Sequence, residues 1–138
     1  YFYVQSPLII SKEAITTRDG EDQDTLSEIK ITLEVKNKTT KPIKEINITD
    51  LVPGIANVEK SLELGTLRPK EVRHTKQGTK VIWSLAELDA HEHRLITYKV
   101  KAKLNIVGTF SLPRAIVDYK KGKKKIKKSY SNIFRLSS

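Results

Sequence analysis

Apolar and polar residues alternate with a period of two along most of this chain. Ile29, Ile31, Leu33 and Val35 alternate with Lys30, Thr32, Glu34 and Lys36. Ile96, Tyr98, Val100, Ala102 and Leu104 alternate with Thr97, Lys99, Lys101 and Lys103. Successive side chains of a strand point to opposite faces, so such runs read as strands with one buried face. No stretch carries a sustained apolar stripe at helical spacing, and β-branched residues are plentiful. The fold class expected is all-β.

The pattern predicts the following strands. Val4 to Ile10 is extended, with Pro7 confining it to an edge or a bulge because proline has no ladder donor. Ala14 to Thr17 continues it towards an acidic loop, Asp19 to Asp24. Ser27 to Asn37 is the first strong strand, closed by the turn from Asn37 to Pro42. Ile43 to Leu51 follows, with Ile46 and Ile48 inward, and stops at Pro53 and Gly54, a turn signature. Val58 to Leu67 is less regular, Val81 to Leu85 holds the only Trp, and Arg94 to Leu104 is the cleanest run. Phe110 to Tyr119 is interrupted at Pro113, and Lys125 to Leu136 closes the series. Seven to nine mostly antiparallel strands at this spacing predict a two-sheet β-sandwich of immunoglobulin-like type over residues 26–138. Residues 1–25 are expected to form an extension or an added edge strand with its acidic loop.

A length of 138 residues suits one such domain. No run of roughly 18 apolar residues is present, so no membrane-spanning helix is expected. The chain begins with Tyr1 and shows no signal peptide, which suggests a fragment of a longer protein. Cysteine is absent, which excludes thiol catalysis, disulfides and thiolate metal sites. The absence of both Cys and Met beside abundant Lys leans towards a thermophile. The net charge of +10 is concentrated: the segment from Asp118 onward carries seven Lys, one Arg and one Asp.

The segment ITLEVKNKTTKPIKEINITDLVPG resembles the opening of the DUF11 family, repeated immunoglobulin-like domains of archaeal and bacterial surface proteins. Asp50, Leu51, Val52, Pro53 and Gly54 fill its Asp, apolar pair, Pro, Gly pattern. VIWSLAELDAHEHRLITYKVKAKL is similar to its Trp-x-Leu-x-x-Leu segment and long strand, with Trp83, Leu85 and Leu88 in register. Gly108, Ala115 and Val117 match the loop and strand that follow. The resemblance extends over about Ile29 to Leu136. It implies a sandwich used in extracellular stalks and in S-layer-like or adhesive proteins, packed against neighbouring domains of the same protein or other envelope proteins. The chain departs from the pattern at His91, where the family usually has Gly before the long strand, and in its lysine-rich hairpin. Physical roles suit the matching positions. Pro53 and Gly54 end a strand, Trp83 buries roughly 150–250 Å², and Asp50 accepts backbone hydrogen bonds in the turn that follows. Leu85, Leu88 and Tyr98 belong to the same inward set.

Candidates for chemistry are few. His91 and His93 flank Glu92, yet a metal site needs three or four ligands and only His74 or a distant carboxylate would complete it; no metal or cofactor is expected. The acidic loop lacks the spacing of a calcium-binding EF-hand. No nucleophile elbow, phosphate-binding loop or zinc-protease helix occurs, so no catalysis is expected. Asn37-Lys38-Thr39 and Asn47-Ile48-Thr49 are glycosylation sequons, with Asn37 expected exposed in a turn and Asn47 on the outer face of a strand.

The unusual feature is KKGKKKIKKS between Tyr119 and Tyr130. Gly122 is expected to turn a hairpin bearing Lys120, Lys121, Lys123, Lys124, Lys125, Lys127 and Lys128. Such a cluster attracts an anionic glycan or lipid surface, or protects a sheet edge from pairing. The hairpin has Lys and no Arg, which argues against base reading in nucleic acid. The expectation is a non-catalytic structural or adhesive module of a cell-surface protein. The alternative is an accessory carbohydrate- or protein-binding module of an exported enzyme or transporter.

Overall fold

The computed structural model describes residues 7–18, 27–53, 63–64, 67–102, 109–121 and 125–137. These form eleven strands and no helix: β1 (Leu8–Arg18), β2 (Ser27–Asn37), β3 (Ile43–Pro53), β4 (Glu63–Leu64), β5 (Glu71–Thr75), β6 (Gly78–Leu88), β7 (His93–Ala102), β8 (Thr109–Leu112), β9 (Ile116–Lys121), β10 (Lys125–Tyr130) and β11 (Phe134–Ser137). One sheet has the order β1-β2-β7-β4 and the other β10-β9-β3-β6-β5, while β8 and β11 pair separately. Every recorded pairing is antiparallel. The chain is an all-β sandwich.

The alternation read from the sequence decides which face is dry. Ile29, Ile31, Leu33 and Val35 of β2 and Ile96, Tyr98 and Val100 of β7 are buried on one sheet. Ile46, Ile48 and Val52 of β3, Val81, Trp83, Leu85 and Leu88 of β6, and Val117 and Tyr119 of β9 are buried on the other. The two sets merge into one core. Trp83 and Tyr98 meet across it with ring centroids 5.5 Å apart, a spacing at which tilted rings attract.

Residues 8–18 are an integral edge strand, paired along their length with β2 from Leu8 opposite Asn37 to Arg18 opposite Ser27. Pro7 immediately precedes the strand, consistent with the edge placement expected of it. β1 also continues through Ser11 to Glu13, where the sequence suggested a gap. Leu8, Ile10 and Ala14 are in the core, and the residue that shares their phase is Lys12.

Strand β3 runs two residues past Leu51, so Pro53 is its last residue and faces Gly78. Gly78 is required there. Its φ of 145° is poorly accessible to other residues, and a Cβ would lie 2.1 Å from the Val52 carbonyl oxygen. β5 and β6 form a hairpin with Thr75 opposite Gly78, and this pairing was not foreseen. Every residue of β5 before Thr75 is exposed, so the strand carries no apolar alternation by which to recognise it. Of the strand expected from Val58 to Leu67, Glu63 and Leu64 are paired with Lys99 and Tyr98. Gly54 and Gly108 lie outside the described residues.

The two final expected strands each break in the middle. Pro113, which has no N–H to donate, lies in the gap between β8 and β9, and Ser131 to Ile133 separates β10 from β11. Ser131 bridges the two breaks. Its N–H donates to the Ala115 carbonyl at 2.9 Å, and its Oγ accepts from the Ala115 N–H at 2.7 Å. The chain thus turns a corner without stranding buried backbone groups.

His91 has φ of 60° in the turn before β7, a left-handed conformation that costs a non-glycine residue about 1–2 kcal/mol. His91→Gly is expected to raise the unfolding free energy by about 0.5–1 kcal/mol, since glycine's greater unfolded-state entropy offsets part of the relief. The midpoint of urea denaturation checks this. The His91 N–H that donates to the Thr39 carbonyl at 3.2 Å is kept in the variant.

Candidate functional site

Two places in the fold concentrate charge, one on an edge and one inside. The edge is the β9-β10 hairpin, with Lys125 opposite Lys121, Ile126 opposite Lys120, Lys127 opposite Tyr119 and Lys128 opposite Asp118. Lys123, Lys124 and the turn residue Gly122 lie outside the described residues, as do the side chains of Lys121 and Lys125. β10 is the terminal strand of its sheet. Cross-strand partners share a face, so the pairing divides the lysines. Lys120 and Lys128 lie on the outer face with Asp118, while Lys127 is on the face of buried Tyr119. Lys127 and Lys128 are exposed. Lys120 reaches Glu45 at 2.9 Å in an exposed ion pair, the kind that contributes little to stability.

The outer face beside the hairpin carries an open depression of about 330 Å³. Glu45, Asn47, Lys70, Ser84, Asp118 and Lys120 supply its polar lining. Asn47 is half-buried here and its Nδ2 donates to Asp118 Oδ1 at 3.3 Å, so it faces outward as expected.

Asn37 corrects the expectation of an exposed sequon. It is fully buried. Its Nδ2 donates to the carbonyls of Lys41 at 2.9 Å, Leu88 at 3.1 Å and Asp89 at 3.1 Å, and its Oδ1 accepts from the Thr39 N–H at 2.9 Å and the Thr39 hydroxyl at 2.8 Å. The amide that would carry a glycan instead ties the β2-β3 turn to the end of β6. Residues Asn37 to Thr39 form a structural plug.

The interior charge centre was missed. Lys12 and Asp50 have fully buried side chains, with Lys12 Nζ 2.6 Å from Asp50 Oδ1. Lys12 Nζ also donates to the Pro113 carbonyl at 2.8 Å, an acceptor presented by the break between β8 and β9. Tyr98 donates its hydroxyl to Asp50 Oδ2, and the Leu51 N–H donates to Oδ1 at 3.0 Å. Asp50 is therefore no turn residue. It lies within β3, in phase with buried Ile46, Ile48 and Val52, and its main partners are side chains from the opposite sheet. The signal was present in the strand phase: Leu8, Ile10 and Ala14 place Lys12 inward, and Ile46 and Ile48 do the same for Asp50.

Burial raises the Asp50 carboxyl above its ordinary value, against the opposing pull of Lys12 and of the Tyr98 and Leu51 hydrogen bonds. Tyr98 is raised well above the ordinary phenol value, first by burial and then by the negative charge of Asp50. A group whose folded pKa exceeds its unfolded value stabilises fully below the unfolded value and loses that contribution as pH rises towards the folded one. The Tyr98 contribution is thus complete below about pH 10 and declines above it, by up to roughly 1.4 kcal/mol per pH unit. Tyr98→Phe is expected to remove that decline, read as the difference between the wild-type and variant stability profiles across alkaline pH.

His74 Nδ1 lies 3.0 Å from Thr79 Oγ1 at the end of the β5-β6 hairpin, while His91 and His93 belong to the turn and first residue at the β6-β7 connection. Among the described residues no three His, Asp or Glu side chains gather as metal ligands. The acidic stretch Asp19 to Asp24 is outside the described residues. No helix long and apolar enough to cross a membrane occurs among the described residues.

No family profile and no curated protein matches the chain. Among solved structures, 92% of the chain is similar to 18% of the chain of a GH20 exo-β-N-acetylglucosaminidase from Vibrio harveyi bound to N-acetylglucosamine, with a TM-score of 0.53 and 10% identity. An inactive mutant of the same enzyme gives a TM-score of 0.54. The yeast delta-COP-I mu-homology domain is similar over 82% of this chain and 39% of its own, at a TM-score of 0.46 and 14% identity. The chain thus corresponds in fold to under a fifth of the glycosidase's length.

Proposed function

We propose that this chain is a non-catalytic structural or adhesive module, immunoglobulin-like, of a larger cell-surface or envelope protein, and that its lysine-rich hairpin contacts an anionic partner. The carrying observation is where the charge lies. The described lysines of the hairpin sit on an exposed edge strand pair, while Lys12, Asp50, Tyr98 and Asn37 are held by hydrogen bonds inside the fold. Such a body suits spacing and docking better than chemistry, because a catalytic site needs reactive groups converging on an open pocket. Neighbouring domains or other envelope proteins would pack against it, and an anionic lipid or glycan would meet the hairpin.

A second reading is an accessory carbohydrate- or protein-binding module of an exported enzyme or transporter. It draws on the recurrence of the fold as one part of a glycosidase chain.

The test is cosedimentation with phosphatidylserine vesicles and retention on heparin, beside neutral phosphatidylcholine vesicles as control. Binding to one anionic probe is expected, weakening as salt rises. Replacing Lys123, Lys124, Lys125, Lys127 and Lys128 by Gln should weaken it at least roughly a hundredfold, given about 1 kcal/mol per lysine near an anionic surface. Unchanged binding in that variant, or none in the wild type at low salt, removes the anionic contact and leaves the lysines an edge-protecting role.

A further inference from the structure

The dry interior contains an amine and a carboxyl that a hydrophobic core has no need of. A buried ion pair is often no more stable than an apolar pair of the same volume, yet Lys12 and Asp50 are held in place from several sides. The Asn132 side chain grips the Lys12 backbone twice, Oδ1 accepting from its N–H at 3.0 Å and Nδ2 donating to its carbonyl at 3.0 Å. The Pro113 carbonyl orients Nζ. Tyr98 and the Leu51 N–H fix the two carboxyl oxygens separately. A nitrogen 2.6 Å from Oδ1 lies within about 4 Å of the carbon bearing it, close to the ~3–3.5 Å of a near-attack arrangement.

We propose that Lys12 Nζ and Asp50 Cγ join in an intramolecular amide, a covalent cross-link between the two sheets of the sandwich. The reaction begins with transfer of a proton from the ammonium to Oδ1, giving a neutral amine beside a carboxylic acid. Loss of water from around the pair favours this uncharged form, in keeping with the raised Asp50 carboxyl. The Nζ lone pair attacks Cγ, and the electrons of the C=O bond move to Oδ2, where the Tyr98 hydroxyl donates to the developing oxyanion. A proton passes from Nζ to the Oδ1 hydroxyl, the Cγ–Oδ1 bond breaks, and Oδ1 leaves as water while the C=O bond re-forms at Oδ2. The remaining N–H is directed at the Pro113 carbonyl. One water is lost, nothing is oxidised or reduced, and no co-reactant is needed.

Two physical features make the step accessible without an external catalyst. The folded chain pre-positions the reactants, which is equivalent to effective molarities of roughly 10⁵–10⁸ M in well-oriented systems. The same core excludes water, and with it the nucleophile of the reverse reaction. Folding thus supplies the enzyme-like environment, and the bond in turn locks β1 against β3. This inference is independent of the proposed anionic contact and survives its failure.

Mass spectrometry of the purified 138-residue chain, denatured before measurement, decides the matter. The intact mass should fall below the sequence mass by one water, and a digest should yield a branched peptide carrying Lys12 joined to Asp50. Lys12→Arg keeps the charge but provides no amine, and should show the full mass. Tyr98→Phe should slow the appearance of the lighter species by roughly a hundredfold or more, the usual loss when an oxyanion donor is removed. A wild-type chain that unfolds cooperatively yet retains its full mass after long incubation overturns the proposal. So does a water loss that persists in Lys12→Arg, or one that maps to a linear peptide.

Discussion

Replacing Asp50 by Ala is expected to lower the unfolding free energy by at least 3–5 kcal/mol, roughly the cost of removing one partner from a buried ion pair. Lys12 has no route to solvent, since its side chain is fully buried, so its ammonium keeps only the Pro113 carbonyl. The Tyr98 hydroxyl loses its acceptor in the same substitution, and an unpaired buried hydroxyl costs about 1–3 kcal/mol more. Against a total of about 5–15 kcal/mol for a domain of this kind, the variant stands near the edge of folding. Urea denaturation at neutral pH measures the loss, and a value under 1 kcal/mol would show that the pair does not contribute as described. The double substitution Lys12→Met with Asp50→Leu separates the contributions. It removes both charges together and should recover most of the loss if the pair is only ionic. A cross-linked wild type adds a loop constraint comparable to a disulfide, about 2–4 kcal/mol, which the double variant cannot recover.

The residues that were easy to read and those that were not differ in one physical respect. Strand β2 carries Ile29, Ile31, Leu33 and Val35 at consecutive inward positions, and its sequence limits of Ser27 and Asn37 coincide with the structure. The Arg94 run is displaced by a single residue at its start. From Ile29 to Val35 and from Ile96 to Val100 the inward positions are apolar and the intervening ones polar, so pattern and burial agree there. At Lys12 the pattern puts a charged residue at an inward position, and the alternation alone reads as a gap in the strand. The partner that makes the burial tolerable, Asp50, is 38 residues away along the chain and on the opposite sheet. Pairing of that kind depends on how the sheets stack, which periodicity does not encode. Asn37 failed for a related reason: Asn beside Thr and Pro in a turn signals exposure, whereas its amide reaches across to the Leu88 and Asp89 carbonyls. The exposed strand β5 gave no signal because neither of its faces before Thr75 is buried. The lysine hairpin, by contrast, was legible as a hairpin from Gly122 and its flanking lysines. The division of those lysines between two faces followed only from the register.

Trp83→Ala is expected to cost about 3–5 kcal/mol, the range for removing a large aromatic side chain from a packed core. The indole is fully buried on β6 opposite Ile48 of β3 and spans the interior to reach Tyr98. The strand that carries it is held to β3 by a ladder running from Gly78 to Leu88, so β6 does not shift to close the space. Trp83→Phe is a sharper probe. The Trp83 Nε1 proton has no hydrogen-bond partner among the described residues, so phenylalanine gives up no polar contact and retains an aromatic neighbour for Tyr98, a contact worth about 0.5–1.5 kcal/mol. Its cost should fall well below that of alanine. The same ring packs against that of Tyr98, whose hydroxyl donates to Asp50, so the effects of Trp83→Ala and Tyr98→Phe should not add. A double-mutant cycle is expected to give a coupling of at least about 0.5 kcal/mol, as for residues in contact within one network. Additive effects would mean that Tyr98 holds Asp50 without help from the indole, and that the buried charge centre is positioned by the strands alone.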